Sequence, residues 1–454
     1  MKKRLTAGGL VIGALLLGCS DGSDHHQSPS SLTVVSTAAP EGATGEMRQL
    51  TFRITMTKPQ SQPVIVDYET ADGTASADDF LPAIGQVEIL PGAIEGHISV
   101  DLIGDDDEES AETFTLRVST SDNSTPTATT VTGTIANDDT ACDTPFTKEP
   151  NPWLVNGADP LNFAHRGGVT DFPENTLYAY AQAALAGADV LEMDVYQTKD
   201  NQLVILHDLD VDRTTNGQGN VADLTLAELR ALDAAYWFVT GAGTPHDRPV
   251  ADYTFRGIAT GDKPPPPGYS ADDFRIPTLE EALARFPHNL INIELKPDLD
   301  GAGNYEQQIA DLLRSYGRYT DLIAASFVDE AANNFKAVAP CVYTSVPLDQ
   351  GTLLVLGALG GGIMPPVPEH IAFQVPPDTS QIGEQIPDNF FLEVVTPDFV
   401  ADSHAANLAV QVWTINTCKE MLRMIELGVD AIMTDQPLLL EALLSTPPNE
   451  RRCD

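Results

Sequence analysis

Basic residues are scarce in this chain. Lys and Arg number 25 against 66 Asp and Glu, a formal net charge of −41 over 454 residues. A polyanion of this kind repels nucleic acid and anionic lipid surfaces and favours solubility and cation binding. Nucleic acid is therefore excluded as a partner, and a site for a phosphate must supply its own positive charge or a metal. No apolar run approaches the roughly 20 residues that cross a bilayer. There is also no close-set group of cysteines, which argues against a zinc or iron centre. What remains is an ordinary globular composition, 42% apolar, in a chain long enough for two or three domains.

The N-terminus reads as a targeting segment. Met1-Lys2-Lys3-Arg4 is basic, and Leu10 to Leu17 is a short apolar run. Leu16-Leu17-Gly18-Cys19 resembles a bacterial lipobox, in which the cysteine is lipidated and becomes the first mature residue; plain signal-peptidase cleavage nearby is the alternative. With Ser20 after Cys19, the resemblance implies an exported protein anchored in the outer membrane, facing the periplasm or cell surface. Membrane contact is then expected through this anchor alone. Residues 20–31, rich in Ser, Asp, His and Gln, form a solvated tether. Export permits disulfides. Apart from Cys19 there are Cys142, Cys341, Cys418 and Cys453, with three pairings open. Cys142–Cys453, tying the two ends of the second domain, is the expected bridge, which leaves Cys341–Cys418.

Residues 32–139 alternate apolar and polar positions in short runs: Leu50–Thr57, Pro63–Thr70, Gln86–Leu90, Gly96–Leu102, Thr113–Ser119 and Thr130–Ile135. Gly, Asp, Pro and Asn break them. This spacing predicts an all-β sandwich. Tyr68 to Ala75, Asp78-Asp79-Phe80, Pro91-Gly92, Glu112-Thr113-Phe114 and Gly133 to Asp139 resemble a Calx-beta domain. Some members of that family bind Ca²⁺ at one end of the sandwich, and others are spacers. The matching positions are Asp105, Glu109, Glu112, Asp138 and Asp139, and carboxylates suit a hard cation.

A linker, residues 140–160, precedes β/α alternation over 161–447, which predicts an α/β (β/α)8 TIM barrel. Candidate strands are Leu161–His165, Asp189–Val195, Leu203–His207, Leu290–Leu295, Leu322–Phe327, Val342–Val346, Val410–Ile415 and Ala431–Met433. The stretch 347–400 resists division, and no sixth strand is assigned there. Residues 213–277 form an insertion long enough to be a lid or binding loop.

Polar residues gather where these strands end, the face on which barrel active sites are built. His165 and Arg166 follow the first strand, Glu192 and Asp194 sit on the second, His207 and Asp208 follow the third, and Glu294 and Lys296 close the fourth. Residues i and i+2 of a strand share a face, so Glu192 pairs with Asp194 and Glu294 with Lys296. Three converging carboxylates need a compensating charge, which Mg²⁺ or Ca²⁺ supplies. Two histidines can trade protons near neutral pH. A divalent ion, fixed cations and a pair of histidines suit phosphoryl chemistry.

Ala164 to Gly168, Pro173 to Thr176, Gly187 to Val195, Val204 to Asp208, Asn292 to Lys296, Val412 to Asn416 and Gly428 to Pro437 together resemble the glycerophosphodiester phosphodiesterase family. The resemblance implies His165 and His207 as the acid–base pair, Glu192, Asp194 and Glu294 as ligands of one divalent cation, and Arg166 and Lys296 on the phosphate. Trp413 would pack on the substrate's alcohol portion or, alternatively, sit in the barrel core. Glu174 and Asn175 would brace the metal and histidine shell. The implied reaction is hydrolysis of a glycerophosphodiester to glycerol 3-phosphate and an alcohol through a cyclic phosphate. Lysophospholipase D-type activity on lysophospholipids is the alternative, and a calcium-binding surface adhesion protein is a third reading. The insertion is expected to cover the site.

Overall fold

Alternation along the N-terminal strands builds the first layer pair of the computed structural model, which describes residues 31–120, 128–296, 304–359, 370–381 and 391–453. The basic leader, the apolar run, Cys19 and tether residues 20–30 lie outside these. No helix of the described residues is long and apolar enough to cross a membrane. Strands β1 (Leu32–Val34), β3 (Met47–Met56) and β6 (Glu95–Ile103) form one sheet. The other comprises β2 (Thr37–Pro40), β4 (Val64–Ala71), β5 (Ile84–Ile89), β7 (Glu112–Thr120) and β8 (Ala128–Ala136), in the order β2-β8-β7-β4-β5. Every second residue faces inward: Leu50, Phe52 and Ile54 of β3 meet Phe114, Leu116 and Val118 of β7 in one core. β1 and β2 go beyond the six expected strands; at three and four residues they are too short to show a period.

The second unit is a parallel barrel. Its staves are β9 (Leu161–Ala164), β10 (Val190–Gln197), β12 (Leu290–Leu295), β13 (Leu322–Ala325), β14 (Tyr343–Thr344), β15 (Ala372–Val375), β16 (Ala409–Val412) and β17 (Ala431–Thr434). A parallel bridge between Ser345 and Ala372 joins β14 to β15 and closes the ring. The helices are α1 (Leu177–Ala186), α2 (Leu226–Arg230), α3 (Leu279–Arg285), α4 (Tyr305–Ser315), α5 (Asp329–Val338), α6 (Leu348–Leu359), α7 (Pro397–Ala405), α8 (Cys418–Leu427) and α9 (Pro437–Leu444).

Two expectations need correction here. Leu203–His207 is not a stave: β11 (Leu203–Ile205) pairs antiparallel with the end of β10, so the chain turns back over the mouth before it reaches His207. The stave missing from the sequence reading is β15. Its four residues Ala-Phe-Gln-Val are too few, in an irregular stretch, to stand out.

The disulfides also differ from expectation. The bridges are Cys142–Cys341 and Cys418–Cys453, with Cα atoms 5.1 and 5.7 Å apart. Cys142 cannot reach the C-terminal tail, because the chain after it packs beside Pro340, whose carbonyl accepts from Phe146 N. The tail is drawn instead toward α8. Residues 140–160 also do more than link. Trp153 is buried against Phe163, Val190 and Ile323, closing the end of the barrel where the strands begin. The two units meet at Arg53 of β3, which donates to both oxygens of buried Asp273 (2.7 and 2.6 Å) and to Ser270 Oγ (2.8 Å).

Candidate active site

The first stave ends in a left-handed kink. Arg166 has φ +52° and Gly167 φ +83°, and a Cβ on Gly167 would stand 2.8 Å from the Ala179 Cβ of α1. Glycine permits that approach. The kink turns the Arg166 amide onto Glu192 Oε2 at 2.7 Å. It also leaves His165 facing the mouth, where its Nδ1 lies 2.6 Å from Asp435 Oδ1. Asp435 follows β17 and is held in turn by Asn416 Nδ2 at 2.6 Å. Burial alone would raise the Asp435 carboxyl, but the His165 hydrogen bond and charge, with Asn416, hold it below the usual range. An ionised partner fixes the proton on His165 Nδ1 and leaves Nε2 free. Burial, then the Arg166 charge, lowers the His165 pKa, which favours the neutral ring.

His207 is built the same way. Its Nδ1 lies 2.7 Å from Asp208 Oδ1, and Arg213 Nε donates to Asp208 Oδ2 at 2.5 Å. Arg213 also forks onto Glu174, both bonds 2.7 Å. Burial would raise Asp208, but His207 and Arg213 hold it well below the carboxylate range. Sequence alone places Asp208 at the mouth without a role, and it assigns none to Asp435, Asn416 or Arg213. Asp208 and Asp435 stand inside the resembling motifs, whereas nothing linear joins His165 to a residue 270 positions away.

The parallel register of β10 and β12 sets Asp194 opposite Glu294 and Glu192 opposite Asn292. Oxygens of Glu192, Asp194 and Glu294 lie within 4.8 Å of one another. Lys296 Nζ stands 2.5 Å from Glu294 Oε1 and 3.3 Å from Asp194 Oδ1. Arg166 Nε is 3.5 Å from Asp194 Oδ2, and Asn175 Nδ2 donates to the same oxygen at 3.1 Å. Burial pushes Asp194 up, but Lys296 and Arg166 overcome it and hold its carboxyl low. Burial, then Asp194 and Glu294, drive Glu192 well above its ordinary value. Glu294 is also raised, chiefly by burial against the pull of Lys296. The trio is thus short of positive charge. Asp194 Oδ1, buried, accepts no hydrogen bond. An all-carboxylate set, with a buried oxygen that has the Lys296 ion pair but no hydrogen bond, fits a hard divalent cation.

The residues expected at the barrel mouth come together, with Glu174, Asn175, Asp194 and Asp208 outside the cavity lining. His165, Arg166, Glu192, His207, Glu294, Lys296 and Trp413 line one cavity of about 500 Å³. Trp413 packs against the barrel core and also lines the cavity, edge-on to Phe327 at 5.3 Å. The insertion does not cover the site. None of residues 213–277 lines the cavity, and its touch on the machinery is Arg213. Phe255, Tyr269 and Phe274 of the insertion instead pack sideways on Tyr178 of α1, Phe274 stacking on it at 4.6 Å.

The sequence profile of the glycerophosphoryl diester phosphodiesterase family matches residues 165–439. The chain belongs to this family, one of phosphoric diester hydrolases. A glycerophosphodiester phosphodiesterase of Caldanaerobacter subterraneus subsp. tengcongensis is 31% identical over 279 residues, covering 61% of this chain and 94% of that protein. A lysophospholipase D of Rattus norvegicus is 26% identical over 308 residues, covering 63% and 86%. The glycerophosphoryl diester phosphodiesterase domain solved from a Mycobacterium tuberculosis protein shares the fold, with a TM-score of 0.50 at 21% identity, over 63% of this chain and 98% of that one. The sandwich is a Calx-beta domain, whose profile matches residues 35–140.

At one end of that sandwich the five expected acidic residues gather with two more. Glu41 groups with Asp138 and Asp139, and with Asp105 and Glu109; Asp79 groups with Glu109 and Glu112. Burial, then Asp105 and Glu109, push Glu41 up to about 8. Burial and Asp79 push Glu112 up to about 7.

Proposed function

We propose that this phosphodiesterase hydrolyses glycerophosphodiesters to glycerol 3-phosphate and an alcohol, with His165 and His207 exchanging protons through a cyclic phosphate. The observation that carries the reading is the pair of histidines, each with Nδ1 on a carboxylate, in one cavity with Glu192, Asp194 and Glu294. Those three carboxylates would hold one divalent cation, Ca²⁺ or Mg²⁺. When bound, it supplies positive charge to a phosphate oxygen. Arg166 and Lys296 add fixed charge from beside the trio. Trp413 packs on the glycerol or alcohol carbons.

His165, neutral and with a free Nε2, takes the proton of the glycerol hydroxyl next to the phosphate. That oxygen bonds to phosphorus, gaining from its intramolecular position. His207 gives a proton to the departing alcohol. Water then opens the ring as the two histidines reverse roles. Replacing His165 with Ala is expected to lower release of glycerol 3-phosphate from glycerophosphocholine by roughly 10²- to 10⁴-fold while circular dichroism stays unchanged. Full turnover in that variant would sink the assignment.

The acidic end of the sandwich would take Ca²⁺ of its own. We also propose export and lipidation at Cys19, on the leader composition, which would place the enzyme at the outer membrane. Labelling with a radioactive fatty acid, lost in Cys19→Ala, tests that point.

A further inference from the structure

The cavity floor carries three side-chain amides with no part in the proton relay or the carboxylate trio. Gln374 of β15 lines the cavity, and β15 stands across the ring from β10. Its side chain crosses the barrel interior to Asn292 of β12, donating from Nε2 to Asn292 Oδ1 at 2.6 Å. The same Nε2 donates to Oε1 of Gln411, its register partner on β16, at 2.9 Å. Asn292 and Gln411 are both buried. A primary amide has two N–H hydrogens, so both of those on Gln374 are spent on the floor. Its orientation is thereby fixed, with Oε1 as the end left for the cavity. Among the described residues none donates to Gln374 Oε1 and none accepts from Asn292 Nδ2. Neither atom is sealed from the cavity that both residues line.

The floor therefore presents one oriented acceptor beside one donor. Asn292 is the register partner of Glu192, which sets the pair next to the ionic end of the cavity. A hydroxyl, which gives one hydrogen and takes one, matches both atoms. A phosphate oxygen can only accept and meets Gln374 Oε1 unfavourably, and a quaternary ammonium has no hydrogen to give. A glycerophosphodiester has two free hydroxyls. The one beside the phosphate yields its proton to a histidine, so it cannot also donate to Gln374. The outer one remains. We propose that Gln374 and Asn292 bind the outer glycerol hydroxyl and make it a requirement of the substrate. This rests on the hydrolase reading above and deepens it. A substrate with a methyl group or an ester in place of that hydroxyl leaves Gln374 Oε1 desolvated and unpaired, which is what gives such a contact its selectivity. Gln374 is thus a specificity residue, and Gln411 a positioning residue that holds its amide.

The test is discrimination by the full-length, cation-loaded enzyme. kcat/KM is measured for glycerophosphocholine and for its analogue with a methyl in place of the outer hydroxymethyl, the hydroxyl beside the phosphate being kept. The wild type is expected to favour glycerophosphocholine about 10- to 100-fold. Gln374→Met, similar in length but without the amide, should bring that ratio below about threefold. Calorimetric binding of glycerol 3-phosphate and of its methyl analogue to the wild type should show the same preference, which keeps the test open if the variant does not fold. A wild-type ratio near one, in an enzyme that turns over glycerophosphocholine, overturns the subsite and leaves the hydrolase reading standing. So does a loss in Gln374→Met that falls equally on both substrates, the mark of a structural role. A shift in preference between choline and ethanolamine diesters in Gln374→Met, with the hydroxyl preference intact, would place the contact on the leaving alcohol and also overturn it. Failure of the wild type to turn over glycerophosphocholine overturns the hydrolase reading and the subsite with it.

Discussion

Two groups of carboxylates stand at opposite extremes in this molecule. At the barrel mouth Glu192, Asp194 and Glu294 are interleaved with Arg166 and Lys296, and Asp194 is held ionised by them. At the end of the sandwich Glu41, Glu109, Glu112 and Asp139 are raised by burial and by one another, and the neighbours that set these shifts are carboxylates. The donor atoms are alike, but the surroundings separate the roles. A cation in the mixed site has fixed partners for a phosphate beside it and histidines within the same cavity. A cation bound in the all-acidic site would have neither, and would act only by holding loops together. Charge context, more than ligand type, distinguishes a catalytic ion site from a structural one.

The largest difference to look for is in turnover. Glu192→Gln should lower kcat for glycerophosphocholine by about 10³-fold, whereas Glu109→Gln should change it less than about twofold. Equal losses would erase the distinction. Next, Asp435→Asn should cost roughly 10²-fold in kcat, because an amide no longer fixes the proton on His165 Nδ1; an unaffected kcat and pH profile would remove Asp435 from the machinery.

A third experiment joins the two regions. Arg53→Ala would leave Asp273 buried without its cation, at a cost of about 3 kcal/mol, seen as a lower midpoint in urea. Because the Asp273 segment leads into Pro277, whose carbonyl accepts from Ile205 on β11, activity should fall as well, though less than about tenfold. A midpoint equal to wild type would show that the sandwich is not braced on the barrel.

The smallest effect concerns pH. Glu41 holds its proton more tightly folded than unfolded, so this contribution to stability is complete below about pH 4.5 and is lost as pH rises through about 8. The sandwich should weaken across that window without calcium, measured by amide exchange in β2 and β8, and Ca²⁺ should abolish the slope. A calcium-independent profile would contradict a cation at this end.

The parts legible in the sequence were those with local periodicity. Alternation located six sandwich strands and seven staves. The i, i+2 rule put Glu192 with Asp194 before any fold was known, and the ends of strands marked the mouth. What was hidden depends on distance in the chain. Asp435 meets His165 only because β17 lies beside β9. Cys142 meets Cys341 because the linker runs under the barrel toward β14, a path no spacing encodes. β11 carries the same apolar run as a stave, and its reversed direction comes from pairing with β10, not from its residues. The insertion reads as a lid by length alone, while its aromatic residues commit it to α1.

On the proposed reading, the carboxylates at the barrel mouth hold one divalent cation on which hydrolysis depends. The most direct measurement is stoichiometric: titrate Mg²⁺ and Ca²⁺ into chelator-treated full-length protein by calorimetry while following glycerol 3-phosphate release by ³¹P NMR. Activity should return with one equivalent of cation bound at a site that Glu192→Gln removes, independently of any equivalents lost in Glu41→Gln. Full turnover in the chelated protein, or recovery that tracks Glu41 instead of Glu192, would contradict the account.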